Sequence, residues 1–178
     1  MANPTEIKFG DPATRIAQTA HWTALLRPRQ PTLGSLVLVC REPVLAFSEL
    51  SAAAYADLRA VNRCVESALR EVSAYERINY LMLMMVDPDV HFHVIPRYPG
   101  ARSFMGADYR DAGWPGPPDL QSAVTPEPEA RDALLDRLRG ALRRTGTAVA
   151  SNLDRDGVLD VVVAAAVDGV GADAGRAS

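Results

Sequence analysis

Lysine is almost missing from this chain: Lys8 is the only one, and arginine supplies every other basic side chain. Cysteine and histidine are scarce too, at two and three residues in 178, and aromatic residues make up only 6%. Each shortage excludes something. Cys40 and Cys64 are too few for a disulfide framework and lack close metal-ligand spacing, so they read as buried thiols of a reducing compartment. The arginine bias follows from genome composition as readily as from function, and carries no weight for phosphate binding. A net charge of −3 gives no general pull toward nucleic acid or an anionic membrane. The longest apolar runs, Tyr80–Val86 and Val161–Val167, fall far short of the roughly 20 residues needed to cross a bilayer. Residues 1–20 carry Lys8, Arg15 and several polar groups, without the apolar core of a signal peptide. A cytoplasmic protein without nucleic-acid or membrane partners is the expectation.

What is present is ordinary globular material, 48% apolar and 23% charged. The polar, proline-bearing segment 1–14 reads as a flexible arm, 15–144 as the folded domain, and 145–178 as a C-terminal extension of uncertain structure. Alternation between Arg15 and Leu26 predicts one early strand. Two prolines and Gly34 interrupt the chain before Ser35–Arg41, which reads as a buried strand pairing back antiparallel. A helix starts at Ser48 or Ser51, either of which can cap it. Tyr55, Leu58, Val61, Val65, Ala68, Leu69 and Val72 then recur at threes and fours along one stripe. Tyr80–Val86 reads as a central strand buried on both faces, its methionines filling core gaps and not forming a redox cluster. Asp87-Pro88 makes a tight turn into the next strand. Pro99–Pro118 reads as a long covering loop, and a second helix begins near Thr125-Pro126. Val158–Val167 fits a strand or a short helix equally, and Asp154–Gly157 lacks the ligands of a calcium loop. The fold class is α+β: an antiparallel meander with one long and one C-terminal helix packed on it.

Two of the three histidines fall in Asp89-Val90-His91-Phe92-His93-Val94-Ile95-Pro96-Arg97. On a strand, Asp89, His91 and His93 would share one face, with Val90, Phe92 and Val94 on the other. Such a row suits two chemistries. A neutral imidazole can attack phosphorus and split one displacement into two steps. Alternatively, two imidazoles and a carboxylate can hold a metal, although His21 is the only histidine left to complete the set.

Asp89–Arg97 resembles the signature of the histidine triad proteins, His-x-His-x-His-x-x with apolar residues at x. The trailing Pro96-Arg97 is similar to the branch of Fhit-like dinucleoside polyphosphate hydrolases. The resemblance runs from about Thr14 to Tyr98 and takes in Leu33-Gly34-Ser35 before an apolar strand, and Phe47-Ser48-Glu49-Leu50 before the long helix. It implies a nucleotide hydrolase or nucleotidyl transferase acting at an α-phosphate, with no cofactor, no protein-bound metal and often a homodimer with a continuous sheet. His91 would be the nucleophile and His93 would contact the phosphate or leaving group. Asp89 stands where the first triad histidine is expected and would support the other two. Arg27, Gly34 and Ser35 would border the substrate, Arg27 replacing the family's usual asparagine. Where the family has an amide near the phosphates, this chain has Leu83–Met85. A nucleotide-binding protein without catalysis, and a metal-dependent enzyme using Asp89, His91 and His93, are the alternatives.

Overall fold

A computed structural model describes residues 3–153, with side chains up to Thr145. In chain order the elements are α1 (Pro4–Lys8), β1 (Arg15–Gln18), β2 (Trp22–Leu26), β3 (Leu36–Cys40), α2 (Ala52–Ser73), β4 (Arg77–Leu81), β5 (His91–Arg97), β6 (Ala101–Phe104), β7 (Ala107–Arg110) and α3 (Pro128–Leu153). Five strands form one antiparallel sheet in the order β1-β2-β3-β5-β4, and β6 and β7 form a separate hairpin. The α+β expectation holds. The segments near Asp154 and Val158–Val167 lie outside the described residues.

The apolar run of β3 occupies the sheet's centre because it can be buried on both faces, and it is. Its even positions, Leu36, Leu38 and Cys40, join Trp22, Ala24, Leu26 and Val94 beneath α2 and α3. The stripe on α2 meets them with Val61, Val65 and Leu69, and α3 adds Leu134, Leu138 and Ala141. Ser51 caps α2, its side chain accepting from the Ala54 N–H at 3.0 Å. The Trp22 indole N–H donates to the Ala54 carbonyl at 2.9 Å, fixing β2 to the first turn of that helix. Before β3, Gly34 sits at φ +86°, and a Cβ there would come within 3.0 Å of Leu69 Cδ2. This glycine lets the turn approach α2 closely.

Several expectations need correction. The single early strand is a hairpin of β1 and β2, and Asp57 of α2 reaches into its turn. Its carboxylate accepts from Thr19 Oγ1 at 2.5 Å and from the His21 N–H at 3.0 Å. The supposed central strand at Tyr80–Val86 is an edge strand that ends at Leu81. Met85 and Val86 stand 94% and 80% exposed in the following loop. An unbroken apolar run cannot say on its own whether neighbours will cover it. The long covering loop contains the β6–β7 hairpin, whose tip residues Met105 and Gly106 both have positive φ, as a two-residue turn with the right twist requires. The helix expected at Thr125-Pro126 begins at Pro128 and continues past the proposed boundary at residue 144 to Leu153.

The largest correction concerns the N-terminal arm. Asn3-Pro4-Thr5-Glu6 forms a capping box, with the Asn3 side chain accepting from the Glu6 N–H and the Glu6 carboxylate accepting from the Asn3 N–H, both at 2.8 Å. The short helix this nucleates is docked on the sheet, with Thr5 and Glu6 buried. Among the described residues, no helix is long and apolar enough to cross a membrane.

Candidate active site

β5 positions the histidines by simple alternation. His91 and His93 lie opposite Val39 and Val37 of β3, on the sheet face that α2 and α3 leave free. Leu25, Val37 and Val39 form an apolar floor there, and Phe9, from the turn after α1, closes it from above. The two imidazoles meet edge to face, with centroids 5.2 Å apart. The Phe9 ring lies 5.6 Å from His93 and 6.3 Å from His91. His91 is 0% exposed and His93 6%.

One contact fixes a proton on His91 Nδ1. Its Nδ1 lies 2.7 Å from the carbonyl oxygen of Asp89. A carbonyl only accepts, so Nδ1 carries the proton and donates. The neutral form of the ring then has its lone pair on Nε2, which is buried and makes no hydrogen bond to protein. A nucleophilic imidazole needs that tautomer.

His93 is held neutral by its surroundings. Burial first, then His91 and Arg27 nearby, push its pKa down to about 4, with Lys8 adding to the shift and Asp87 opposing it. Its Nδ1 also lacks a protein partner. A histidine with a depressed pKa takes up a proton in the unfolded chain before it can in the native one. Stability is therefore complete above the unfolded pKa of about 6.5 and falls as the pH drops toward 4. The loss amounts to at most about 3 kcal/mol from this side chain. Urea melts at pH 7 and pH 4 should show a pH slope in wild type that His93→Gln reduces by about that amount. Parallel slopes in the two proteins would contradict the assignment.

Asp89 does not sit where alternation placed it. β5 starts at His91, and the Asp89 carboxylate accepts from Thr5, from its Oγ1 at 2.6 Å and its N–H at 3.2 Å. The support that Asp89 gives His91 comes from its backbone carbonyl, not from its carboxylate. The side chains of Asp89, His91 and His93 consequently do not converge. Among the described residues, no group of three His, Cys, Asp or Glu side chains is gathered to hold a metal ion.

The remaining predicted residues divide. Arg27 follows β2 on the histidine face and is half-buried, with its Nε buried and unbonded. Burial, and then Arg29, hold its pKa below the ordinary arginine value. Its charge is near enough to act on His93, so Arg27 borders the site. Gly34 faces Leu69 of α2 instead. Ser35 is buried with its hydroxyl donating to the Thr32 carbonyl at 2.8 Å, so both residues shape the turn and neither presents a group to the histidines. His21 is elsewhere, its Nδ1 paired with Glu42 at 3.0 Å.

Three contributors were not foreseen. Phe9 and Thr5 belong to the supposed arm, although the capping box Asn3-Pro4-Thr5-Glu6 is a readable helix start. Arg97 is the third. It is buried, donates to both Asp111 carboxylate oxygens at 2.6 and 3.1 Å, to Asn79 Oδ1 at 2.6 Å, and to the Gly116 carbonyl at 2.9 Å. This guanidinium ties β5 to β4 and to the loop after β7. Four of its five N–H groups are committed to protein.

No family model matches the chain, and comparison with curated proteins gives no match. Solved structures do match. A histidine triad protein from Sinorhizobium meliloti 1021 is 22% identical, with a TM-score of 0.63 over 79% of this chain and 96% of that one. A histidine triad protein from Bradyrhizobium japonicum is 24% identical, with a TM-score of 0.59 over 81% and 96%. A hypothetical histidine triad nucleotide-binding protein from Sulfolobus tokodaii strain 7 is 18% identical, with a TM-score of 0.56 over 74% and 84%. At these identities the likeness is one of fold. The chain has the fold seen in histidine triad proteins.

Proposed function

Starting from that fold, we propose that the chain is a histidine triad protein acting at the α-phosphate of a nucleotide, as a hydrolase or nucleotidyl transferase. The observation that carries this reading is the 2.7 Å contact from His91 Nδ1 to the Asp89 carbonyl, which leaves Nε2 as a buried lone pair. Nε2 attacks the phosphorus, forming a P–N bond as the bond to the leaving group breaks and that group departs with the electron pair. The positive charge that this places on the His91 ring is spread toward Nδ1, where the Asp89 carbonyl receives the N–H. Water, or an acceptor nucleophile, then breaks the P–N bond and returns His91 to its starting tautomer. Neutral His93, with an unbonded nitrogen beside His91, serves a phosphate oxygen or the leaving group. Arg27 supplies positive charge at the edge of the site.

The nucleotide class rests on the resemblance at His91-Phe92-His93 and Pro96-Arg97, supported by the Sulfolobus tokodaii protein described as nucleotide-binding. A panel of dinucleoside polyphosphates and nucleoside phosphoramidates tests it. Release of a nucleoside monophosphate from at least one is the expected result. Binding without turnover would select a catalytically impaired nucleotide-binding protein, a reading favoured by the engagement of the Asp89 carboxylate with Thr5. Neither binding nor turnover would overturn both. The homodimer implied by the resemblance is also part of the proposal: β4 is a sheet edge and could pair with a second copy. A single-chain mass by light scattering would remove it.

A further inference from the structure

His91 Nε2, the atom that must meet phosphorus, is sealed beneath the chain's own N-terminus. The cover is small and its fastenings are few. Phe9 supplies the apolar contact over both imidazoles. Thr5 donates twice to the Asp89 carboxylate, Lys8 pairs with Asp87 at 2.6 Å, and Asn3 Nδ2 donates to the Cys40 carbonyl at 2.9 Å. Two of the four fastenings thus fall on Asp87 and Asp89, the residues just before the histidine strand. The closed arrangement also carries a cost, because Glu6 Oε1 is buried without a protein partner. A five-residue helix has no stability of its own once undocked.

We propose that residues 3–9 are an autoinhibitory strap, latched by Thr5 on Asp89 and Lys8 on Asp87, and that nucleotide reaches His91 only when the strap lifts. This rests on the nucleotidyl reading above, but the gate can be tested without it. It gives the aspartate at the first triad position a task a histidine would perform differently. The Asp89 carbonyl orients the nucleophile while its carboxylate holds the cover shut over that nucleophile.

Carbethoxylation by diethyl pyrocarbonate, followed by mass spectrometry, reads the accessibility of His91 Nε2 directly. In wild type, His91 should react far more slowly than the partly exposed His21. Thr5→Val with Lys8→Ala removes a charge-assisted hydrogen bond and an ion pair, so His91 labelling should accelerate about tenfold to hundredfold. Phe9→Ala should act in the same direction. Wild-type labelling of His91 as fast as His21 would overturn the strap, as would equal rates in wild type and both variants. Hydrogen exchange on unaltered protein guards against a variant that unfolds. The amides of Ile7 and Phe9 should exchange about a hundredfold faster than those of Val65 and Leu69, since the strap opens locally. Exchange of both sets at one common rate would refute local opening. In turnover of an AMP-linked substrate, the latch variants should lower KM with little change in kcat, because only the open fraction binds. Variants that expose His91 yet turn over nothing would refute the nucleotidyl reading and leave the strap standing.

Discussion

His91→Ala and His91→Gly should form no covalent adduct with an α-labelled adenine nucleotide, and turnover should fall by about four orders of magnitude or more. A nucleophile cannot be replaced by its neighbour when the two rings are placed for different tasks. His91 has its proton fixed on Nδ1 by a carbonyl 2.7 Å away, so its free nitrogen is defined. His93 has no such contact on Nδ1, and its pKa of about 4 marks an imidazole kept neutral by burial. His93→Gln should therefore still be labelled, with turnover lowered about a hundredfold to ten-thousandfold, the range for a lost proton-handling group. Labelling of wild type and the three variants, quenched in alkaline denaturant because a P–N bond on histidine is lost in acid, separates these outcomes. Equal labelling of wild type and His91→Ala would sink the mechanism. Labelling lost in His93→Gln but retained in His91→Ala would exchange the two roles. Far-ultraviolet circular dichroism on each variant distinguishes lost chemistry from a lost fold.

Arg97→Met should lose about 3–5 kcal/mol of stability, the usual cost of breaking a buried ion pair from one side. Arg97 is 4% exposed, and its guanidinium satisfies the Asp111 carboxylate, Asn79 and the Gly116 carbonyl together. Without it, the Asp111 carboxylate is left buried and uncompensated. Arg97→Lys should recover little, since an ammonium cannot reproduce the planar fork that serves Asp111 bidentately while also reaching Asn79. The double variant Arg97→Met with Asp111→Leu should be more stable than Arg97→Met alone, because it removes the stranded charge. Urea titration of the four proteins checks this. A loss below about 1 kcal/mol in Arg97→Met would show that the contacts are replaced by water at little cost. The trailing Pro-Arg of the histidine strand is thus accounted for as a clamp on the loop beyond β7.

Much of this was legible before any coordinates. The helical spacing from Tyr55 to Val72 located α2, and its start was narrowed to Ser48 or Ser51, of which Ser51 is the cap, because periodicity and capping are local properties. The strands expected at Ser35–Arg41 and from Asp89 onward are present as Leu36–Cys40 and His91–Arg97, and alternation alone set both imidazoles on one face. What misled was local information applied to questions of contact. Tyr80–Val86 is apolar enough for a core strand, but β5 pairs with it only as far as Leu81, and the rest emerges into a loop. The turn between β1 and β2 is bonded to Asp57, which comes from another element.

The sequence by itself determined that two imidazoles would share a strand face, and which secondary elements would carry them. Tertiary structure decided what those imidazoles would be. The proton on His91 is fixed by a backbone carbonyl, a group identical in every residue and invisible in composition. The neutrality of His93 is a consequence of burial beneath Phe9, a residue more than eighty positions away in the chain. The Asp89 carboxylate, expected beside the histidines, found Thr5 because the first helix folds over the sheet. Side-chain direction is set by the pitch of the local backbone, whereas burial, tautomer and cover depend on which distant segments come to lie against it.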